Sequence, residues 1–238
     1  MVHLVSERSD QPWRRRLYLP TYQVKEAARY AHVSSQTVSA WHRDDGYLSL
    51  VLSNKSSGDA LSYLQLIEVA VVAAFRQMGV SLRRLREARE YISGEMKTEY
   101  PFAAYKFKTD GKKLLLDYQQ VIGKKGRGKL LEIDPKGQLA WDEIVGTRLE
   151  EFDYARSDIA KRWFVAGIRS KIVIDPQIAF GSPTIMGVPT WVIKERWVAG
   201  ESVEDIRDDF RLKPGDVMDA LRFEGVQPDL SRQRKWTH

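Results

Sequence analysis

The sequence predicts an α+β fold that is mainly helical and contains small β-hairpins. Three observations predict this class. Apolar residues recur at helical spacing in residues 22–41, 65–92 and 191–223. Short β-prone runs bounded by Gly, Asn, Asp and Ser lie between these stretches. The chain has 238 residues, of which 43% are hydrophobic, so it can form two modest domains or one domain with a large appendage.

Composition excludes several classes of site. The chain has no cysteine, which rules out disulfides, zinc–thiolate sites, iron–sulfur clusters and thiol nucleophiles. The first residues lack a signal-peptide pattern, and no run approaches the roughly 20 apolar residues of a membrane span. We therefore expect a cytoplasmic protein with no membrane partner. Lys and Arg total 38 against 32 for Asp and Glu, and this excess favours a nucleic-acid partner only weakly.

The first two helices are predicted to form a helix-turn-helix. Val24, Ala27 and Ala28 share the inner face of one helix, and Ser34 is a good N-cap for a second helix over residues 35–41. Small alanines allow the helices to approach closely. The outer face of the second helix carries side chains able to read base edges, namely Ser35, Gln36, Ser39, His42 and Arg43. A helical hairpin with a polar exterior is the alternative interpretation.

A β-hairpin is predicted directly after this unit. Residues 46–52 read as a strand, residues 54–59 as a turn and residues 61–64 as a return strand. Such a hairpin is typical of a wing. Lys55 at its tip is a candidate phosphate contact, although a lone Lys on a turn is more often only solvated. The other candidate phosphate contacts are Lys25 and an N-terminal arm carrying Arg14, Arg15 and Arg16.

Two further helices, over residues 65–77 and 82–92, complete a predicted N-terminal domain of residues 1–100. Residues 18–93 resemble the MerR-type winged helix-turn-helix through the runs VKEAARY (24–30) and VSSQTV (33–38), Trp41 and the run GVSLRRL (79–85). The sequence has His32 where such turns usually have Gly, and His tolerates left-handed backbone. It also lacks a long coiled-coil helix and cysteines, so the resemblance does not imply metal sensing.

Residues 101–169 are predicted to form a basic, β-rich connector. Between Lys106 and Lys136 there are 9 basic and 4 acidic residues, so this stretch is either a DNA contact or a solvated hairpin. Residues 123–129 have the spacing of a phosphate-binding loop. However, Leu130 stands where that loop needs Ser or Thr to hold magnesium. We therefore predict no nucleotide site and no cofactor.

Residues 170–224 are predicted to form a C-terminal trihelical domain that is itself helix-turn-helix-like. A short strand and Gly/Pro turns precede helices over residues 191–199, 203–210 and 214–223. Ser202 and Asp205 form a capping box, and Pro214 occupies a permitted first-turn position.

The order of short motifs in this domain carries a second resemblance. The motifs are Ile-Asp-Pro at 174–176, Gly-x-Pro-x-Ile-x-Gly at 181–187, Gly-Glu-Ser-x-Glu-x-Ile at 200–206 and Val-x-x-Ala-Leu at 217–221. They resemble the antitoxin-associated domain of unknown function in VapB-type proteins of type II toxin–antitoxin modules. Combined with a MerR-like head, this resemblance implies a longer VapB-type antitoxin whose partner is a VapC-like PIN-domain ribonuclease. The family often has Thr-Arg after the second Gly, whereas Gly187 here precedes Val188, so no role of that Arg transfers.

Charge separates the two ends of the chain. Residues 201–224 contain 4 basic and 8 acidic residues, which disfavours phosphate binding and favours protein contact through self-association or toxin binding. The tail, residues 225–238, is basic and aromatic. Since the resemblance implies a carboxylate-rich nuclease cleft, the candidate toxin-binding residues are Arg232, Arg234, Lys235 and Trp236. A disordered terminus is the alternative.

These patterns predict a non-catalytic antitoxin that binds its toxin and operator DNA. A homodimer would match operator half-sites about 34 Å apart or a multiple of that. No carboxylate pair or His has the spacing of a catalytic or metal site, so we predict neither. The alternatives are a MerR-like regulator without a toxin partner and an interaction module that has lost DNA binding.

Overall fold

The computed structural model describes residues 12–42, 52, 60–104, 107, 146–154 and 159–228. The chain folds as two units, residues 1–161 and residues 162–238, and each is described by itself. Both units combine helices with short strands, which confirms the α+β class.

The described part of the first unit contains six α-helices, one 3₁₀ turn and three short strands. In chain order they are α1 Pro12–Arg16, β1 Tyr22–Gln23, α2 Val24–Tyr30, α3 Ser35–Trp41, β2 Ala60–Leu61, α4 Tyr63–Gln77, α5 Leu82–Met96, the 3₁₀ turn Pro101–Ala103, α6 Thr147–Glu150 and β3 Phe152–Asp153.

Helix α4 lies at the centre of this unit. Every residue from Tyr63 to Phe75 is buried, including Glu68, so the helix is covered on all sides. The Phe75 ring packs against Phe102 and Phe107, with ring centroids 6.0 and 6.3 Å away. A helix of this kind contributes mainly to the core and fixes the positions of the shorter helices around it.

The predicted return strand over residues 61–64 is wrong beyond Leu61. Ser62 caps α4, because its hydroxyl accepts from the N–H of Gln65 at 3.3 Å and its own N–H donates to the Gln65 side chain at 2.8 Å. The helix therefore begins at Tyr63 rather than at residue 65. Strand β2 pairs antiparallel with β1, with Tyr22 opposite Leu61. The predicted partner strand, residues 46–52, lies outside the described residues apart from Leu52.

Helix α5 begins as predicted and ends later. The hydroxyl of Ser81 accepts from the N–H of Arg84 at 3.4 Å. The helix continues to Met96, one turn beyond the predicted Ile92, and ends at Lys97 in left-handed backbone with φ 51°.

The described part of the second unit contains four short strands, one 3₁₀ turn and three helices. They are β4 Arg162–Trp163, β5 Ile172–Ile174, the 3₁₀ turn Ala179–Gly181, β6 Pro183–Ile185, β7 Val188–Pro189, α7 Thr190–Val198, α8 Val203–Phe210 and α9 Pro214–Phe223.

These four strands pair antiparallel in chain order. Trp163 lies opposite Ile174, Ile172 opposite Ile185, and Ile185 opposite Val188. The β6–β7 turn has positive φ at both central residues, 50° at Met186 and 85° at Gly187, as a two-residue hairpin turn requires.

The three predicted C-terminal helices are confirmed, with starts within one residue of those expected. Ser202 accepts from the N–H of Asp205 at 3.0 Å, and its own N–H donates to the Asp205 carboxylate at 3.3 Å, so the predicted capping box is present. Pro214 begins α9. The helices bury Ile193, Val203, Ile206, Val217, Ala220 and Leu221.

Candidate nucleic-acid interface

The helix pair α2–α3 begins with a cap on α2. The backbone N–H of Gln23 donates to the Glu26 carboxylate at 2.8 Å, so Glu26 acts as a capping acid at the start of this helix. Helix α2 then buries Ala27 and Ala28, which are at most 2% exposed, and packs against α3. Small side chains at these positions allow the two helices to lie close together.

The turn between α2 and α3 depends on one left-handed residue. His32 has φ 57°, and the following residue, Val33, donates its N–H to the carbonyl of Ala28 at 3.0 Å. His32 is therefore accommodated in left-handed backbone, as expected from the sequence. Ser34 then caps α3, since its hydroxyl accepts from the N–H of Thr37 at 3.1 Å and lies 2.8 Å from the Thr37 hydroxyl.

Helix α3 presents a polar face opposite its buried face. Val38 and Trp41 point into the unit and are at most 1% exposed. Ser35, Gln36 and Ser39 fall on the other side at helical spacing; Gln36 is exposed, and the two serines are half-buried. The side chains of this face are therefore partly accessible to a ligand.

His42 and Arg43, the other two residues predicted for this face, are not shown to be accessible. His42 ends the helix, is half-buried, and has both ring nitrogens shielded from solvent. Arg43 lies outside the described residues, as does Lys55 on the predicted wing.

Cations lie on neighbouring elements of the same unit. Lys25 on α2 is exposed. Arg29 lies four residues later on the same face, and its guanidinium is 4.9 Å from the centre of the Tyr30 ring. Arg29 is not among the contacts predicted from the sequence, although its (i, i+4) spacing from Lys25 indicates that the two side chains share a helix face.

The N-terminal arm is helical over Pro12–Arg16. Arg15 is exposed, whereas Arg14 and Arg16 are half-buried, and the Arg14 guanidinium lies 5.3 Å from the centre of the Trp13 ring. The carbonyl of Leu17 accepts from the N–H of Leu64 at 3.4 Å. This bond ties the end of the arm to the start of α4.

The second unit has a different electrostatic character. The guanidinium of Arg196 bonds to the carboxylates of Glu201 and Asp209 and lies 5.1 Å from the centre of the Phe210 ring. Hydrogen bonds to Glu201 and then to Asp209 raise the pKa of Arg196 above its ordinary value. On α8, Asp208 accepts from Arg207 at 2.8 Å. These cations neutralise neighbouring acids, which leaves the helices poorly suited to a phosphate backbone.

Asp216 at the start of α9 is the most buried of these acids. Its carboxylate accepts from the ammonium of Lys171 at 2.6 Å and from the N–H of Lys213 at 3.3 Å. Burial acts to raise the pKa of Asp216, but the two hydrogen bonds outweigh it and hold the pKa below its ordinary value.

The predicted toxin-binding residues cannot be placed, because the structure describes the chain only as far as residue 228. Arg232, Arg234, Lys235 and Trp236 lie beyond it. Among the described residues, no group of three or more His, Asp or Glu is arranged to hold a metal ion. No described helix is both long enough and apolar enough to cross a membrane.

Comparison with known proteins gives relatives for one domain and for most of the chain. A family model described as "Protein of unknown function (DUF433)" matches residues 172–223. A protein of Mycobacterium tuberculosis strain H37Rv named "Putative antitoxin VapB45" is 25% identical over 234 residues, which is 89% of this chain and 97% of that protein. The X-ray crystal structure of Rv2018 from Mycobacterium tuberculosis superposes with a TM-score of 0.68 at 23% identity. The superposition covers 87% of this chain and 99% of the Rv2018 chain. The chain therefore has the fold of Rv2018 and is similar along most of its length to an antitoxin-like protein.

Proposed function

We propose that the chain is the antitoxin of a type II toxin–antitoxin module. In this proposal it binds and neutralises a VapC-like PIN-domain ribonuclease and binds operator DNA to regulate its own expression. It performs no catalysis itself. The observation that carries the proposal is the similarity to a protein named as an antitoxin, which extends over 89% of this chain.

The DNA-binding step would use α3. A B-form major groove is about 12 Å wide and admits one helix. Ser35, Gln36 and Ser39 on the polar face of α3 would meet base edges, and Arg43 would extend that face. His42, whose ring nitrogens are shielded, is a weaker candidate for base contact.

Phosphate contacts would come from the cations beside α3. Lys25 and Arg29 share one face of α2 and are both exposed. Lys55 and the arginines of α1 are the other candidates. Phosphate contacts position the protein on the duplex, while base contacts read its sequence.

The toxin-binding step would use the C-terminal part of the chain. Residues 201–224 carry twice as many acidic as basic residues, which supports contact with protein rather than with DNA. The tail residues Arg232, Arg234, Lys235 and Trp236 would enter a carboxylate-rich cleft of the nuclease. Arginine is well suited to such a cleft because its guanidinium binds a carboxylate through two parallel hydrogen bonds.

The toxin step is tested by co-expressing the chain with the product of the adjacent reading frame. We expect the two proteins to co-purify and the nuclease activity to be suppressed. A combined Arg232→Ala, Arg234→Ala and Lys235→Ala variant should relieve the suppression. The control is Arg169→Ala with Arg211→Ala, which removes exposed cations outside the tail. A neighbour that does not bind contradicts the antitoxin function.

The operator step is tested by a salt titration with DNA from upstream of the reading frame. Six or more phosphate contacts predict a log–log slope of about −5 or steeper. A MerR-like regulator without a toxin, the second candidate, would show this slope but no co-purification. An interaction module would bind its partner with no operator affinity.

A further inference from the structure

Helix α3 presents only two exposed side chains to a ligand. All seven of its residues are described, and among them only Gln36 and Ala40 are exposed. Val38 and Trp41 are buried, and the remaining three residues are half-buried. Residues four apart lie on one face of a helix, so Gln36 and Ala40 form a continuous surface, which we call the α3 ridge. Ala40 is not among the DNA contacts predicted from the sequence.

The α3 ridge lies opposite the buried face of the helix. An α-helix turns by about 100° per residue, so Gln36 stands roughly 170° from the midpoint between Val38 and Trp41. Ala40 stands roughly 130° from the same midpoint. Ser35 stands only about 90° from it, in agreement with its half-buried position. A ligand that approaches α3 from outside therefore meets the α3 ridge first.

The hydroxyl groups beside the α3 ridge add little preference for one base over another. The Ser34 hydroxyl accepts from the N–H of Thr37 and lies 2.8 Å from the Thr37 hydroxyl, so both hydroxyls serve the helix cap. A serine hydroxyl such as that of Ser39 both donates and accepts, so it can bond to several base edges. The choice of base therefore depends mainly on the α3 ridge.

Helix α3 carries no charge of its own. Its sequence, SQTVSAW, contains no Asp, Glu, Lys or Arg, so its side chains neither attract nor repel phosphate strongly. The exposed cations Lys25 and Arg29 lie instead on the preceding helix, α2. This arrangement suits a division in which α2 positions the chain on the phosphates and α3 contacts the bases.

We propose that the α3 ridge reads an adenine and a thymine in the major groove of the operator. The amide of Gln36 has the donor and the acceptor that together bind N7 and the N6 amino group of adenine. The methyl group of Ala40 suits apolar contact with the 5-methyl group of thymine. The inference rests on the proposed function, because it names the bases for the DNA-binding step.

The spacing of the α3 ridge sets the spacing of the two bases. Four residues of an α-helix rise about 6 Å, and successive base pairs are about 3.4 Å apart. Gln36 and Ala40 therefore reach bases that are one or two steps apart along the groove. We expect each binding site to contain an adenine with a thymine methyl group one or two base pairs away.

The test is the selection of DNA by the purified full-length chain from a pool of duplexes with a randomised core. The wild-type chain should enrich adenine at one position. Gln36→Lys should enrich guanine there, because lysine binds guanine O6 and N7, and Gln36→Glu should enrich cytosine, because a carboxylate accepts from the cytosine amino group. In fluorescence anisotropy, replacing the adenine should weaken wild-type binding roughly tenfold. Lys and Glu are good helix formers, so α3 should be retained.

The Ala40 contact is tested by replacing the neighbouring thymine with uracil, which removes only the 5-methyl group. Loss of one buried methyl group should weaken wild-type binding about fourfold and should not weaken binding by Ala40→Gly. The two DNAs are compared within each protein, so a loss of helix stability in Ala40→Gly cancels. An equal loss in both proteins would remove Ala40 from the inferred contact.

The control is Gln77→Lys, which makes the same substitution at the exposed last residue of α4. It should enrich the wild-type sequence. A Gln36→Lys pool that keeps the wild-type base, or a wild-type base other than adenine at the position that responds to Gln36, would overturn the inference while DNA binding stands. If the wild-type chain binds no duplex, the DNA-binding step of the proposed function fails, and the inferred contact fails with it.

Discussion

Replacing Ser34 by Ala tests whether the cap of α3 holds the candidate interface in place. The Ser34 hydroxyl accepts from the N–H of Thr37 at 3.1 Å, and the substitution leaves this N–H without its capping acceptor. Loss of an N-cap costs typically about 1 kcal/mol. Helix α3 has only seven residues, so its intrinsic stability is low and it depends on this cap and on packing.

The expected result is a loss of about 1 kcal/mol in the free energy of unfolding, with a fall in the melting temperature of roughly 2–4 °C for a protein of this size. Urea unfolding followed by circular dichroism measures the first quantity, and calorimetry measures the second. Ser34→Asp should behave like the wild type because Asp is an equally good cap, and Ser34→Gly should lose only a few tenths of a kcal/mol.

Operator affinity should follow the same order among these variants, since fraying of α3 displaces Ser35 and Gln36. Wild-type stability in Ser34→Ala, or an equal loss in Ser34→Asp, would refute the capping argument.

Three further substitutions test separate parts of the structure. Arg29→Ala should make the log–log salt slope of operator binding shallower by about 1, measured by fluorescence anisotropy, and an unchanged slope would remove Arg29 from the phosphate contacts. The pKa of Asp216 is held below the ordinary value of an aspartate, so its contribution to stability is complete above that ordinary value and is lost as the pH falls through the lowered pKa. In Asp216→Asn, the midpoint of urea unfolding should therefore fall less steeply at acid pH than it does in the wild type. A midpoint that falls in parallel with the wild type would contradict this. Arg89→Ala should destabilise the chain by about 3–5 kcal/mol, because Arg89 lies 3.7 Å from the fully buried carboxylate of Glu68. As the control, Arg83→Ala removes the exposed ion pair between Arg83 and Glu87 and should lower the free energy of unfolding by under about 1 kcal/mol in a urea titration. Equal losses in Arg89→Ala and Arg83→Ala would contradict the argument that the buried pair matters more.

Helix starts were predictable because cap chemistry is local. A Ser followed by residues of helical spacing identified the starts after Ser34 and Ser202, and the structure has caps at both. The same rule applied to Ser62 would have corrected the strand predicted over residues 61–64. That strand was predicted from the β-prone residues alone, and the capping box at Ser62 overrode their propensity.

Exposure within the candidate interface was only partly predictable. Helical periodicity separates the buried Val38 and Trp41 from the polar face of α3, because it requires only the spacing of residues along one helix. The shielding of the His42 ring nitrogens is a property of the folded unit, which the periodicity of one helix does not describe.

The position of exposed cations relative to α3 bears on DNA contact more directly than the net charge does. The net charge of +6 favours a nucleic-acid partner only weakly. In the second unit, Arg196, Arg207 and Lys171 bond to carboxylates of their own unit. In the first unit, Lys25 and Arg29 are exposed on the helix that precedes α3. Exposed cations beside α3 could displace counterions from a phosphate backbone, which supports the proposal that DNA contact is made by the first unit.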